Sequence, residues 1–292
     1  MRLLIPYPPG GSAEILARPI AQKLTELWGQ PVVLDFRPGA GGTIASDIAA
    51  KSAPDGHTII MVLAAHAINH SLYAKLPYDT LRDFTPVTLA ASLPLIVVTP
   101  PSVPANSIKE LIALAKAKPG SLNFASAGNG NTSHLAGELF KNIAGVDMVH
   151  VPYKGSGPSL IALLGGEVQL MFDSISSSLP QIKAGKLKAL AVTSSKRSHV
   201  MPQLPTVAES GLPNFVVDGW YGILAPAGTP PAIVNKMSAD IARAMQNPDT
   251  RERIMASGYD IIGSTPEQFG THIRSEVERW TKVVKASGAR ID

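Results

Sequence analysis

Four turns rich in glycine and hydroxyl side chains carry most of the chemistry that this 292-residue sequence offers. The first, Pro6-Tyr7-Pro8-Pro9-Gly10-Gly11-Ser12, follows the apolar run Leu3-Leu4-Ile5 and leads into a helical pattern from Ala13 to Leu27. The second joins Val32-Val33-Leu34 through Arg37-Pro38-Gly39-Ala40-Gly41-Gly42 to a helix over Thr43 to Lys51. The third joins Leu122-Asn123-Phe124-Ala125 through Ser126-Ala127-Gly128-Asn129-Gly130-Asn131-Thr132-Ser133 to His134 through Ile143. The fourth joins Val149-His150-Val151 through Pro152-Tyr153-Lys154-Gly155-Ser156-Gly157 to Pro158 through Leu164. Glycine leaves room for a ligand to approach the backbone, and the first turn of a helix presents unpaired N–H groups at the positive end of its dipole. The pattern predicts a pocket built from main chain whose guest is a carboxylate or a phosphate.

Other chemistries lack their residues. None of the turns has the lysine followed by Ser or Thr that a phosphate loop of the ATPase kind requires. Around Ser156 the order Tyr-Lys-Gly-Ser-Gly omits the first glycine of a nucleophile elbow. An acyl hydrolase or transferase using Ser126 or Ser156 with His134 or His150 is the alternative to a binding protein, and the missing spacing speaks against it. The seven histidines include no HExxH pair; His66 and His70 lie four apart with only Asp79 as a nearby carboxylate, so no metal site is expected. There are no cysteines, hence no disulfide and no thiolate chemistry. No cofactor is expected.

Two acidic residues need a separate reading. Asp173 ends the apolar run Val168-Gln169-Leu170-Met171-Phe172 and opens a serine-rich stretch. It either caps the next helix or contacts a ligand at the C-terminal end of a strand, where α/β folds place such contacts. Glu14, in the first turn after Gly10-Gly11, either complements the helix dipole or closes a capping box, and in a cleft it repels a second carboxylate or attracts an ammonium.

These turns sit in a chain whose strand and helix signals alternate almost throughout, which predicts a layered α/β architecture with parallel sheets and helices on both faces. Thr58 to Leu63 and Leu95 to Val98 read as strands, the latter followed by Pro100, Pro101 and Pro104. Ser107 caps a helix from Ile108 to Lys118 that Pro119-Gly120 stops. Leu187 to Val192 and Tyr221 to Pro226 read as further strands. The remainder reads as all helix, with Ile233, Met237, Ile241 and Met245 on one face and Phe269, Ile273, Val277, Trp280 and Val284 on another. The length predicts roughly two domains.

With 45% hydrophobic and 16% charged residues the chain can bury a sizeable core, and no apolar run approaches the roughly 20 residues a membrane span needs. The net charge of +4 is spread, its densest group being Lys183, Lys186, Lys188, Lys196 and Arg197, without the interleaved aromatics of a single-strand nucleic-acid surface. Nucleic acid is therefore not an expected partner. After Met1-Arg2 no leader pattern follows, so the expectation is a cytosolic protein or one whose leader precedes this numbering.

At its loops the sequence closely resembles the Bug-type solute receptors, the periplasmic binding proteins of tripartite tricarboxylate transporters. The resemblance rests on PYPPGG at 6–11, RPGAGG at 37–42, APDGHT at 53–58, LPYDTLRDFTPV at 76–87, SAGNGNTSHLAGELF at 126–140, VPYKGSGP at 151–158, LMFDS at 170–174, GKLKALAVTSSKRS at 185–198, PTVAESGLP at 205–213 and LAPAGTPP at 224–231, which together span nearly the whole chain. It implies an α/β, two-lobed Venus-flytrap fold, each lobe a mainly parallel sheet flanked by helices: residues 1–97 in lobe 1, 98–221 in lobe 2, and 222–292 returning to lobe 1. It implies a periplasmic, non-catalytic receptor without a cofactor that grips a small organic acid, a mono- or dicarboxylate, in the interlobe cleft, with the membrane permease subunits of a tripartite tricarboxylate-type transporter as partner and a monomeric state. The ligand contacts it implies are Tyr7, Pro9, Gly10, Gly11 and Ser12 from lobe 1 and Ser126, Gly128, Thr132 and Ser133 from lobe 2, with Asp173 near the cleft. The sequence departs from the family at Tyr7, where phenylalanine is common, at Glu14, where aspartate is common, and at Ala64-Ala65-His66, where small residues such as Ser, Thr or Gly are frequent. His66 either pairs with a second ligand carboxylate or packs as a loop histidine.

Overall fold

The computed structural model describes residues 1–287. In chain order the elements are β1 (Arg2–Ile5), α1 (Ser12–Trp28), β2 (Val33–Phe36), a 3-10 turn at Ala40–Gly42, α2 (Thr43–Ala50), β3 (Thr58–Leu63), α3 (Ala65–Leu72) and β4 (Phe84–Thr99). They continue with α4 (Ile108–Ala117), β5 (Asn123–Ser126), α5 (Thr132–Ala144), β6 (Val149–Pro152), α6 (Ser156–Leu164), β7 (Leu170–Ser174), α7 (Ile175–Lys183) and β8 (Lys188–Val192). The last are β9 (Asp218–Pro226), α8 (Pro231–Gln246), α9 (Pro248–Ala256), β10 (Asp260–Ile261) and α10 (Pro266–Ser287).

The strands run in the order β2-β1-β3-β9-β4-β7-β5-β6, with β8 and β10 also paired to β4. The pairs β1–β2, β1–β3, β5–β6 and β5–β7 are parallel, as strand-helix-strand units require, whereas β4 and β9 run antiparallel to every neighbour they have. The α/β architecture with helix-flanked parallel strands is thus as expected, and its two parallel groups are joined by antiparallel strands.

β4 is much longer than the four residues read from the sequence, because two prolines hide it. Pro86 falls where the ladder to β9 shifts register between Pro86 and Thr88. Pro94 is the last β4 residue paired with β9, and from Leu95 onward the strand pairs with β7 and β8 instead. Proline is tolerated at such irregularities because no ladder bond is lost there. The C-terminal part is not all helix either: Asp260–Ile261 pairs with Ala91 and Ser92, a strand too short to leave a periodic signal.

Three buried apolar groups hold the layers together. Leu16, Ile20 and Leu24 of α1 share one with Ile241 and Met245 of α8. Phe124, Phe140, Phe172 and Phe215 centre a second. In the third, Phe269, Ile273, Val277, Trp280 and Val284 are all buried, as residues spaced three or four apart on one helix face should be, against Trp220 of β9. The indole N–H groups of Trp220 and Trp280 both donate to the buried Glu276 carboxylate, at 2.9 and 3.0 Å, so α10 is fixed to the sheet by a satisfied polar group within an apolar face.

Candidate functional site

Each glycine-rich turn ends at a helix N-terminus, and three of those termini, of α1, α5 and α6, converge with the start of α7. Gly11, Ser12 and Ala13 at the start of α1, Asn131 and Thr132 at the start of α5, Ser156 opening α6 and Ser174 preceding α7 border one cavity of about 30 Å³. Its remaining walls come from Tyr7, the β3 end at Leu63-Ala64, Leu95 of β4, and Trp220 and Tyr221 of β9. Among the described residues no Asp, Glu, Lys, Arg or His side chain borders it.

The helix starts explain what the cavity offers. The residues preceding α1, α6 and α7 are Gly11, Gly155 and Ser174, and none of the three makes a side-chain capping bond. No cap side chain takes the N–H groups that open these helices, although the Glu14 N–H of α1 donates to the Gly11 carbonyl at 3.1 Å and Pro158 of α6 has none, and the dipoles of three helices stand behind them. α5 is the exception. Asn131 accepts from the Ser133 N–H at 3.0 Å, and its Nδ2 donates to the Tyr7 hydroxyl at 2.8 Å, tying the α5 turn to the β1–α1 turn.

Hydroxyls line another part of the wall. Tyr221 donates to Ser12 Oγ at 2.7 Å, and Ser174 donates to the same oxygen at 3.2 Å. Burial pushes the Tyr221 phenol up to about 12 and the Tyr7 phenol higher still, so both remain neutral donors at physiological pH. The cavity offers helix N-termini and neutral donors, and among the described residues no cationic side chain borders it. Outward past Tyr7, a groove of about 460 Å³ continues between Pro38–Gly41 on one side and Gly128-Asn129 with Tyr153-Lys154 on the other.

Of the residues expected from the sequence, the structure brings Tyr7, Gly11, Ser12 and Thr132 to the cavity. Gly128, at φ +129°, borders the outer groove. Pro9 and Gly10 form the exposed crest of the first turn, and the Gly10 N–H is already engaged, donating to Glu14 Oε2 at 2.6 Å. Glu14 in turn pairs with Arg18, so it acts as the capping carboxylate and does not border the cavity. Ser133 Oγ accepts from the Ala127 N–H at 2.9 Å and holds the turn from within.

Ser126 is fully buried below that turn, its Oγ accepting from the Gly128 N–H at 3.1 Å and lying 2.6 Å from His150 Nε2. This serine–histidine contact has the spacing of a nucleophile and its base, but its surroundings oppose that chemistry. Burial and the neighbouring His134, stacked at 4.0 Å, push His150 down to about 3, and its ring packs against His134 and Phe124 in place of an orienting carboxylate. Ser156 borders the cavity, yet among the described residues no histidine hydrogen-bonds to it.

His66 lies elsewhere. It is buried on α3, edge-on to Phe84 and stacked with Tyr78, with Nδ1 3.4 Å from Ser46 Oγ. Burial pushes it down to about 4, which keeps it neutral. It borders a void of about 10 Å³ behind Tyr7 and does not reach the main cavity. Asp173 is fully buried one layer behind the wall formed by its neighbour Ser174.

Sequence reasoning missed Asn131, Ser174, Trp220 and Tyr221 as site residues. Asn131 and Ser174 had a usable signal, since Asn and Ser immediately before a helix are cap residues and a cap at a ligand-facing helix also faces the ligand. Trp220 and Tyr221 had none, because only the pairing of β9 with β3 and β4 brings them there.

The family model described as "Tripartite tricarboxylate transporter family receptor" matches residues 16–289. This chain belongs to that family. Among solved structures it is similar to Rpa4515 of R. palustris with adipate, at 37% identity and a TM-score of 0.96, covering 100% of this chain and 98% of that one. It is similar to the periplasmic binding protein BugD at 34% identity and a TM-score of 0.95, covering 99% and 98%. MatC (Rpa3494) from Rhodopseudomonas palustris with bound malate gives 35% identity and a TM-score of 0.92, covering 97% and 98%. The resemblance read from the loops and the fold it implied both hold, and the family is one of solute receptors.

Proposed function

We propose that this receptor captures a small mono- or dicarboxylate in the periplasm, without transforming it, and presents it to the membrane permease subunits of a tripartite tricarboxylate-type transporter. One observation carries the reading: four helix N-termini face one cavity that offers neutral donors and that, among the described residues, no charged side chain borders. The adipate and malate bound by similar receptors fit that chemistry. In this reading residues 1–97 and 222–292 form one lobe and 98–221 the other, the receptor acts as a monomer, and its ligand contacts come from Tyr7, Gly11, Ser12, Asn131, Thr132, Ser156 and Ser174.

Magnitudes require several loops together. A micromolar dissociation constant corresponds to about 8 kcal/mol, and a hydrogen bond to a charged group contributes roughly 1.5–3 kcal/mol. One turn falls short, whereas donors from four turns, closing to exclude water, reach that value after ordering costs.

Calorimetry with adipate, malate and an aromatic monocarboxylate tests the proposal. Heat of binding without product is expected, and turnover of an ester with no binding of any acid overturns it. Gly11→Val supplies the local test. Its backbone, at φ −90°, accepts a side chain, and a Cβ there meets only the Pro8 carbonyl at 3.7 Å, so the fold should survive while the added methyls fill the cradle. Unchanged affinity in that variant removes the first turn from the site.

A further inference from the structure

Asp173 is a fully buried carboxyl behind a cavity wall that offers neutral donors, and the function proposed above gives it no direct contact. Ser178 of α7 donates to its Oδ2 at 2.6 Å, while Oδ1, also buried, has no hydrogen-bond partner. A buried carboxylate with an unmet oxygen and no cation is costly to ionise. The groups that face it are the Ser156 hydroxyl from α6, the Ser174 amide on its own strand, Tyr221 from β9 and Tyr259 from the α9–β10 connection. Both phenols stay neutral, because burial raises them, and among the described residues no charged side chain is recorded against the carboxyl. Three of these groups, Ser156, Ser174 and Tyr221, border the anion cavity themselves. The same polar groups therefore face both the carboxyl and the cavity that would hold an anion.

We propose that Asp173 is a proton site coupled to the anion cavity, so that the receptor takes up its guest together with a proton from solvent. Two negative charges separated by one layer of buried hydroxyls repel strongly in a low-dielectric interior, and protonating the carboxyl removes that repulsion. Protonation also neutralises a buried carboxyl whose Oδ1 has no partner, removing the cost of leaving that oxygen charged. Burial already pushes the empty-state carboxyl up to about 6, so the proton lies within reach near neutrality. The direction follows from linkage: the anion prefers the protonated receptor, so affinity falls as pH rises above that value.

This inference rests on the anion-binding reading, and adipate serves as the probe. Wild-type affinity should drop at least about tenfold between about pH 6 and about pH 8, since each pKa unit corresponds to a tenfold population change. Asp173→Asn, which keeps the shape and can still accept from Ser178, should show a flat profile and bind adipate at least about tenfold more tightly than wild type at about pH 8. A merely structural role does not strengthen binding. Calorimetry of the wild type near neutral pH in two buffers of different ionisation enthalpy should show net proton uptake, a readout that does not depend on the variant folding. Parallel pH profiles, weaker binding by the variant at both pH values, or absence of proton uptake with adipate bound overturn the coupling alone. Failure of both proteins to bind adipate or malate at any pH overturns the anion-binding reading and the coupling with it.

Discussion

Tyr7 matters through the bond its hydroxyl closes. By accepting from Asn131 Nδ2 at 2.8 Å it joins two turns that are far apart in sequence, and its ring stands between the inner cavity and the outer groove. Tyr7→Phe should leave the fold intact and weaken adipate binding about fivefold, the equivalent of about 1 kcal/mol for one buried hydrogen bond, as measured by calorimetry. Two other side chains set opposite pH responses of stability. His66, held down at about 4 by burial, contributes stability that is present above its unfolded value and is lost as pH falls from about 6.5 towards 4. Asp173, held up at about 6 against an ordinary 3.8, has its ionisation cost absent below about pH 4 and fully present above about pH 6. In urea unfolding at about pH 8, Asp173→Asn should therefore gain stability on the order of 2 kcal/mol, and at about pH 4 the gain should vanish. At this scale the sequence disclosed the backbone donors, since glycine and serine mark them, and it disclosed Glu14 as a capping residue. It could not disclose which amides were already taken, as Gly10's is, or that His66 points into packing, because both depend on neighbours that only the folded chain supplies.

Helices were legible at their ends. Ser107 was recognised as a cap and does accept from the Glu110 N–H, at 3.2 Å, while Glu110 returns the favour to the Asn106 N–H at 2.7 Å. Ser107→Ala should lower stability by about 1 kcal/mol in thermal or urea unfolding, with ligand binding unchanged, because α4 lies away from the cavity. Gly137 within α5 poses two effects against each other. Alanine gains roughly 0.5–1 kcal/mol of helix propensity over glycine, yet its Cβ would overlap the Phe124 ring. Overpacking of a close-packed core costs typically 1–3 kcal/mol, so Gly137→Ala should destabilise on balance, and a raised melting temperature would contradict this. Strands were legible only where nothing interrupted them. β3 matched its apolar run, whereas β4 was cut short by Pro86 and Pro94, residues whose tolerance comes from register shifts and a change of partner that no local pattern encodes.

Across the whole molecule, the turns that carry the site also touch one another. A Cβ on Gly155, already at φ +111°, would sit 2.8 Å from the Pro8 ring, and one on Gly41, at φ +62°, would sit 3.2 Å from the Asn129 carbonyl. Glycine is needed at these two positions both for backbone shape and for close approach. Gly155→Ala should hold the halves apart, enlarging the radius of gyration seen by small-angle scattering with adipate present and weakening its binding. The alternation of strand and helix made the α/β class legible, and the loop motifs made the family legible. The convergence of four helix starts was not, since it follows from the strand order β2-β1-β3-β9-β4-β7-β5-β6. That convergence has a bearing on departure as much as on arrival. A chamber bordered by amides and hydroxyls, with no cationic side chain on its border among the described residues, strands no exposed positive counter-charge when an anion leaves: as the loops part, water can replace each donor in turn.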